Sequence, residues 1–312
     1  MLTTLKKILA AADRGKYAVG AFNINNLEIL QAVIETAEEE KSPVIIATSE
    51  GGIDYAGMDY LIAMVGVAAK AKVPVALHVD HGKDLKLIKK AIDSGYTSVM
   101  YDGSLLPYKE NAANTKKVVK WAHAKGVSVE AEIGAISGVE DFVHVSEKQA
   151  LFTDPEEAKQ FVRDTGCDAL AISIGTAHGP NKFKAEAKLD IARLKKIDEL
   201  VKIPLVLHGA SEIDEEMVKK TKKLCDVFGD CQRLAKAKGV PDGEIKKAIR
   251  GGIRKINIDS DLRIAFTAGI REAIVEKNET IDPRKLLATS KKYMKDTVRD
   301  RMRVFGCKGK AK

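Results

Sequence analysis

Eight short β-rich runs alternate with amphipathic segments of helical period along this chain, and that alternation restricts the fold more than any other feature. The runs are residues 18–24, 43–49, 73–80, 98–104, 127–134, 169–176, 204–211 and 254–261. Most are nearly continuous in apolar residues, as strands buried on both faces of a helix-wrapped parallel sheet must be. Between them, segments such as 27–39, 60–71, 85–94 and 111–125 place apolar residues at three- and four-residue steps among charges, the pattern of crossover helices. Eight such units predict an α/β chain closed into a (β/α)8 TIM barrel, one domain over residues 1–312. An open doubly wound sheet would want a glycine-rich phosphate loop after its first strand, where this chain has Asn23-Ile24-Asn25-Asn26.

Two stretches break the rhythm. Residues 135–153 have little period and contain Ser137, Gly138, Glu140, Asp141 and His144, so a long mobile loop is expected there. Residues 212–243 open with Asp214-Glu215-Glu216 and continue with Lys219, Lys220, Lys222 and Lys223, which matches helix dipole preferences. They predict an extra helical excursion between the seventh and eighth strands, serving as a solvated flap or an oligomer contact.

The formal charge of +8 is unevenly placed. Residues 284–312 hold eleven Lys and Arg against Asp296 and Asp300, leaving 41 basic and 42 acidic residues in the rest of a chain whose totals are 52 and 44. A solvated basic helix and tail is the expected form. No aromatic residues interleave with these charges to make a base-stacking platform, so no nucleic-acid partner is expected. No run has the roughly 18 uncharged apolar residues of a membrane span, and residues 1–12 carry Lys6 and Lys7 without a secretory apolar core. A cytoplasmic protein without a membrane partner follows as the expectation. Cys167, Cys225, Cys231 and Cys307 lack Cys-x-x-Cys spacing and read as reduced thiols.

In a barrel of this kind the active site lies at the C-terminal ends of the strands. Polar residues recur there on all eight: Asn23, Ser49, Asp80 with His81, Asp102, Glu130 with Glu132, His178, His208 with Ser211, and Asn257 with Asp259 and Ser260. His81, His178 and His208 each precede a glycine, and three neutral imidazoles converging with one open position are the ligand set of a catalytic zinc. His78 is expected to point elsewhere by strand parity and to be structural. The glycines after the histidines, the Ser211 and Ser260 hydroxyls, and the Lys182 ammonium suit a phosphorylated substrate. A metal beside carboxylates suits carbonyl polarisation with proton removal next to it. Asp80 is placed to act as a general acid or base, and Glu140 as its opposite partner from the loop.

These residues resemble the class II, zinc-dependent fructose-bisphosphate aldolases, from Leu2-Thr3 through Phe305-Gly306. The carrying segments are His78-Val79-Asp80-His81-Gly82, Val99-Met100-Tyr101-Asp102-Gly103-Ser104, Val129-Glu130-Ala131-Glu132-Ile133-Gly134, Gly175-Thr176-Ala177-His178-Gly179, Leu207-His208-Gly209-Ala210-Ser211 and Lys255-Ile256-Asn257-Ile258-Asp259-Ser260-Asp261. The resemblance implies reversible cleavage of fructose 1,6-bisphosphate to dihydroxyacetone phosphate and glyceraldehyde 3-phosphate. It implies zinc on His81, His178 and His208, an alternative metal position at Glu132 with Asp102 in the same acidic neighbourhood, Asp80 and Glu140 as proton carriers, and Asn257 supporting the enediolate. Gly179, Lys182, Gly209, Ser211, Asp259 and Ser260 would surround the dihydroxyacetone phosphate end, with Asn23 and Ser49 completing the substrate-binding set. It further implies a monovalent cation, Na+ or K+, near that phosphate, a homodimer or homotetramer, and a second phosphate held partly by a C-terminal base, for which Arg299, Arg301 and Arg303 are candidates. The sequence departs from the pattern in Gly209-Ala210-Ser211, where Gly-Gly-Ser is commoner. The alternatives are a tagatose-1,6-bisphosphate aldolase and a nonenzymatic basic binding protein.

Overall fold

The strands close on themselves. In the computed structural model, which describes residues 2–140, 143–145, 151–178, 187–223, 239–276 and 279–311, eight parallel strands form one barrel. They are β1 (Val19–Asn23), β2 (Val44–Ser49), β3 (Val75–Gly82), β4 (Ser98–Tyr101), β5 (Ser128–Ile133), β8 (Ala169–Ile172), β10 (Leu205–Leu207) and β11 (Ile253–Ile258). Each pairs with its neighbour in sequence order, and β1 pairs with both β2 and β11, which closes the ring. All eight predicted runs are strands. Every residue of these eight strands is buried, the burial pattern that continuous apolar runs foretold.

Helices wrap the ring for local reasons. The segment read as helical at 27–39 is α2 (Leu27–Glu39), capped by the Asn26 side chain accepting from the Ile29 amide, and its apolar stripe of Ile29, Leu30, Val33 and Ala37 is buried. Preceding it is α1 (Leu5–Gly15), while α3 (Glu50–Ala56), α4 (Met58–Ala68), α5 (Leu85–Asp93), α6 (Tyr108–His123), α7 (Pro155–Thr165) and α8 (Ile191–Val201) follow their strands in turn. In α7, Asp154 accepts from the Glu156 and Glu157 amides just before Pro155, and Gly166 ends the helix in the left-handed region.

Residues 135–153 are not a patternless loop. Ser137–Glu140 (β6) and Val143–Val145 (β7) pair antiparallel, and β6 also pairs in parallel with Ala177–His178 (β9). A two-way backbone bond between Ala135 and Leu151, 3.0 Å each way, closes the base of this arm. Strands this short show too few alternations to read from sequence, and the β6–β9 pairing joins residues some forty positions apart, beyond any local pattern.

Part of the excursion expected after the seventh strand is described. It contains α9 (Glu215–Lys223) and ends where α10 (Asp242–Arg250) begins, with residues 224–238 outside the described set. Ile213 and Val218 form a small apolar cluster with Ile264 of α11 (Ser260–Glu276), so α9 is packed within its own chain rather than a solvated flap. The basic C-terminal segment is α12 (Pro283–Val304), and much of its charge faces acidic α2: Lys291 meets Glu35 at 2.5 Å, Lys295 meets Glu39 at 2.6 Å, and Arg299 meets Glu39 at 2.8 Å. Arg303 meets Glu40 at 2.7 Å just past α2, and Arg301 is buried among Glu212, Asp242 and Asp300. The three arginines read as second-phosphate candidates are thus all engaged by carboxylates of this chain.

Helices α11 and α12 cross where Gly269 faces Ser290, and a Cβ at Gly269 would lie 2.4 Å from the Ser290 Cα. Gly269→Ala should therefore lower unfolding stability by about 1–3 kcal/mol through overpacking. Gly66→Ala, inside α4 with nothing within 4 Å of the new methyl, should be neutral or stabilising by up to about 1 kcal/mol. Chemical denaturation midpoints of the two variants check both signs.

Candidate active site

The C-terminal rim of the barrel gathers the predicted histidines. His81 stands in β3 with a left-handed backbone, φ 47°, a conformation that costs a non-glycine residue energy and turns it away from strand parity. His208 directly follows β10. Ring centroids lie 4.3 Å apart for His81 and His208, 5.1 Å for His81 and His178, and 6.3 Å for His178 and His208. His178 does not end the sixth barrel strand, as the sequence suggested; that strand stops at Ile172, and His178 stands in β9, beside Gly138 of the β6–β7 arm. Gly209 makes the approach of β9 to β10 possible: at φ 62° a Cβ there would lie 2.6 Å from the Ala177 carbonyl oxygen.

Asp80 sits between two amides. Asn23 Nδ2 donates to its Oδ2 at 2.8 Å and Asn257 Nδ2 to its Oδ1 at 2.7 Å, while His208 Nδ1 lies 4.0 Å from Oδ1. Burial alone would raise the Asp80 carboxyl, but the neighbouring His81 and His208 imidazoles, the Lys255 charge and the Asn23 donor outweigh it and lower the group to about 2. Burial lowers the His208 imidazole well below its ordinary value, with the His81 and Lys255 charges adding to the effect, which keeps it neutral and able to ligate.

His81 Nδ1 donates to Asp102 Oδ2 at 3.0 Å, which leaves the lone pair on Nε2. Glu132 approaches the same nitrogen to 3.8 Å. Burial would raise the Asp102 carboxyl, but the hydrogen bonds from His81 and Ser104 and the Lys83 charge outweigh it and lower the group. Ligand atoms of Asp80, His81 and His208 lie within 4.8 Å of one another, as do those of His81, Asp102 and Glu132. The buried His208 Nδ1 has no hydrogen-bond partner among the described residues. Imidazole nitrogens with carboxylates at this spacing fit a divalent metal of the zinc type.

The other predicted residues divide. Ser49 ends β2 opposite Asp80, and its oxygen accepts the Gly52 amide proton at 3.2 Å, capping α3. Ser211 and Ser260 are buried at the rim, and Asp259 accepts from Arg263 Nε at 2.8 Å. Gly179 and Lys182 lie outside the described residues, and of Glu140 only the backbone, in β6, is described. His78 does not point away from the site: it shares parity with Asp80, and its Nε2 lies 3.6 Å from Glu130 inside the barrel. Sequence reading gave Lys255 no role, though it lies two residues before Asn257 in a strand of buried residues, and that parity was the available signal.

A family model described as "Fructose-bisphosphate aldolase class-II" matches residues 3–310. The chain belongs to that family. It is a family of carbon–carbon lyases that depend on zinc. Fructose-bisphosphate aldolase of Thermus caldophilus is 47% identical over 311 residues, covering 100% of both chains. The D-tagatose-1,6-bisphosphate aldolase subunit GatY of Klebsiella oxytoca is 41% identical over 305 residues, 97% of each. Among solved structures, the YdjI aldolase from Escherichia coli K12 superposes with a TM-score of 0.80 at 34% identity, with 100% of both chains covered.

A carboxyl whose folded value lies below its unfolded 3.8 stabilises the fold above that pH and loses the contribution as the pH falls through about 2. Asp80→Asn should therefore flatten the acid limb of the stability curve of chelator-treated protein between those two values. Urea unfolding of parent and variant across that window measures it.

Proposed function

We propose that this chain catalyses reversible, zinc-dependent aldol cleavage of fructose 1,6-bisphosphate to dihydroxyacetone phosphate and glyceraldehyde 3-phosphate, as one barrel domain over residues 1–312. The observation that carries this reading is the convergence of the His81, His178 and His208 rings, with His208 beside an Asp80 clamped by two asparagines. His81, His178 and His208 would hold the zinc, with Glu132 and Asp102 offering the alternative position. Zinc, when bound, supplies a Lewis acid that polarises the substrate's carbonyl.

In cleavage, Asp80 removes the proton from the hydroxyl next to the scissile bond, the aldehyde carbonyl of glyceraldehyde 3-phosphate forms at that carbon, and the bonding electrons pass to the fragment that becomes dihydroxyacetone phosphate. Glu140 returns a proton to that fragment's carbon, and in synthesis the two residues exchange roles. The Asn23 and Asn257 amides hold both Asp80 oxygens, so its carboxylate meets the substrate hydroxyl in one orientation. Asn257 also supports the enediolate. Gly179, Lys182, Gly209, Ser211, Asp259 and Ser260 would bind the phosphate end, Asn23 and Ser49 would complete the substrate contacts, and a monovalent cation would assist in neutralising the phosphate. The enzyme works in the cytoplasm as a homodimer or homotetramer; among the described residues no helix is long and apolar enough to cross a membrane.

The 41% identical relative named for tagatose 1,6-bisphosphate favours a second substrate reading. Cleavage rates on the two bisphosphates decide between them, and a strong tagatose preference would reverse the first choice. Removing metal with a chelator should abolish cleavage and added zinc should restore it. His178→Ala should lose bound metal. Asp80→Ala should keep its zinc while turnover falls by about 100- to 10,000-fold. Glu140→Ala should slow proton exchange on dihydroxyacetone phosphate, and exchange at the parental rate would rule Glu140 out as the base.

A further inference from the structure

One polar layer below the imidazoles lies a set of charges that the proposed chemistry leaves unused. Glu130 and Lys255, both fully buried, meet across the barrel with Lys255 Nζ 2.8 Å from Oε2 and 3.0 Å from Oε1. Glu130 Oε1 also accepts the Nε2 proton of His208 at 2.8 Å. Desolvating such a pair costs several kcal/mol per ion in general, and apolar residues of similar volume often stabilise a core as well or better. Stability alone therefore does not account for it.

Two observations do. With its Nε2 proton committed to Glu130, His208 carries its lone pair on Nδ1, and that is the buried nitrogen with no hydrogen-bond partner among the described residues. His81 is backed in the same way, its Nδ1 donating to Asp102 at 3.0 Å, with Lys83 Nζ 3.7 Å from the same carboxylate oxygen. A lysine, a carboxylate and an imidazole thus stand in series behind two of the three histidines. The Lys83 arm is partly exposed, so solvent moderates its charge. The Lys255 arm is dry.

We propose that Glu130 is the positioning residue for His208, and that Lys255 holds Glu130 in place by offsetting its charge, so that zinc affinity depends on a residue pair that does not touch the metal. Glu130 fixes which nitrogen of His208 faces the site and stops the ring from turning. Lys255, on the strand that also carries Asn257, ties this support to the strand that clamps Asp80. A carboxylate at the far nitrogen of a ligating histidine contributes roughly 10- to 100-fold in metal affinity in other proteins.

The inference rests on the zinc reading of the histidines, and the test separates the two. The double variant Glu130→Met with Lys255→Met removes both charges at similar volume and leaves neither partner uncompensated. Zinc affinity is measured by competition with a chromophoric chelator, and the thermal midpoint of the metal-free protein by circular dichroism. The expected result is a loss of about 10- to 100-fold in zinc affinity with a metal-free midpoint at or above the parent's. A parent that binds no zinc overturns the proposed function. A parent that binds zinc with a folded double variant binding it equally well overturns the role of Glu130 and Lys255. Should the double variant fail to fold, the histidine 15N shifts of the zinc-loaded parent decide: a protonated Nε2 and metal-shifted Nδ1 on His208 are expected, and the reverse assignment overturns the proposal.

Discussion

Closing eight parallel strands into a ring leaves the inward positions dry, and any charge placed there must find a partner inside. That constraint organises the centre of this barrel. Glu130 and Lys255 meet at 2.8 Å inside the ring from strands that are not neighbours, and Glu130 in turn accepts a hydrogen bond from His208. His78 fills the remaining side of Glu130 and shares a 2.8 Å hydrogen bond with Ser98. The strand residues two positions further on, Asp80, Glu132 and Asn257, form the next layer toward the rim. Asp80 therefore stands on a polar floor rather than a purely apolar one, and that floor sets its surroundings.

The rim combines two kinds of support. Asp80, His81 and His208 stand in or directly after barrel strands, whose backbones are held on both sides by the ladder. His178 comes from a connection, and it is held by pairing with the arm that carries Glu140. One proposed ligand and the proposed base thus share a small sheet outside the barrel, and Gly209 lets that sheet come within contact of the seventh strand. Asp80 and the proposed base are thus carried by structurally separate parts of the chain.

Much of this was legible before any coordinates. The period of the apolar residues alone located all eight strands, because a parallel strand buried on both faces has to be apolar almost throughout. The imidazoles stood out because histidine before glycine at three strand ends is hard to reconcile with packing. The arm at 135–151 was not legible, since its pairing is non-local and its strands are a few residues long. Arg299, Arg301 and Arg303 were candidates for the second phosphate through the family resemblance alone, and their carboxylate partners Glu39, Glu40, Glu212, Asp242 and Asp300 come from distant segments that no local pattern names. His78 was read as facing away, although its parity with Asp80 points it into the same interior.

Periodicity and residue chemistry determined the barrel and marked the histidines and Asp80 as candidates at its rim, because each depends on spacing within one strand or on what a side chain can do. Only the tertiary structure decided which atoms face one another. That His208 presents Nδ1, that both Asp80 oxygens receive an asparagine amide, and that Lys255 answers Glu130 follow from the register and closure of strands far apart in sequence. Register is set by the summed pairing of the whole ring, so no single segment contains it.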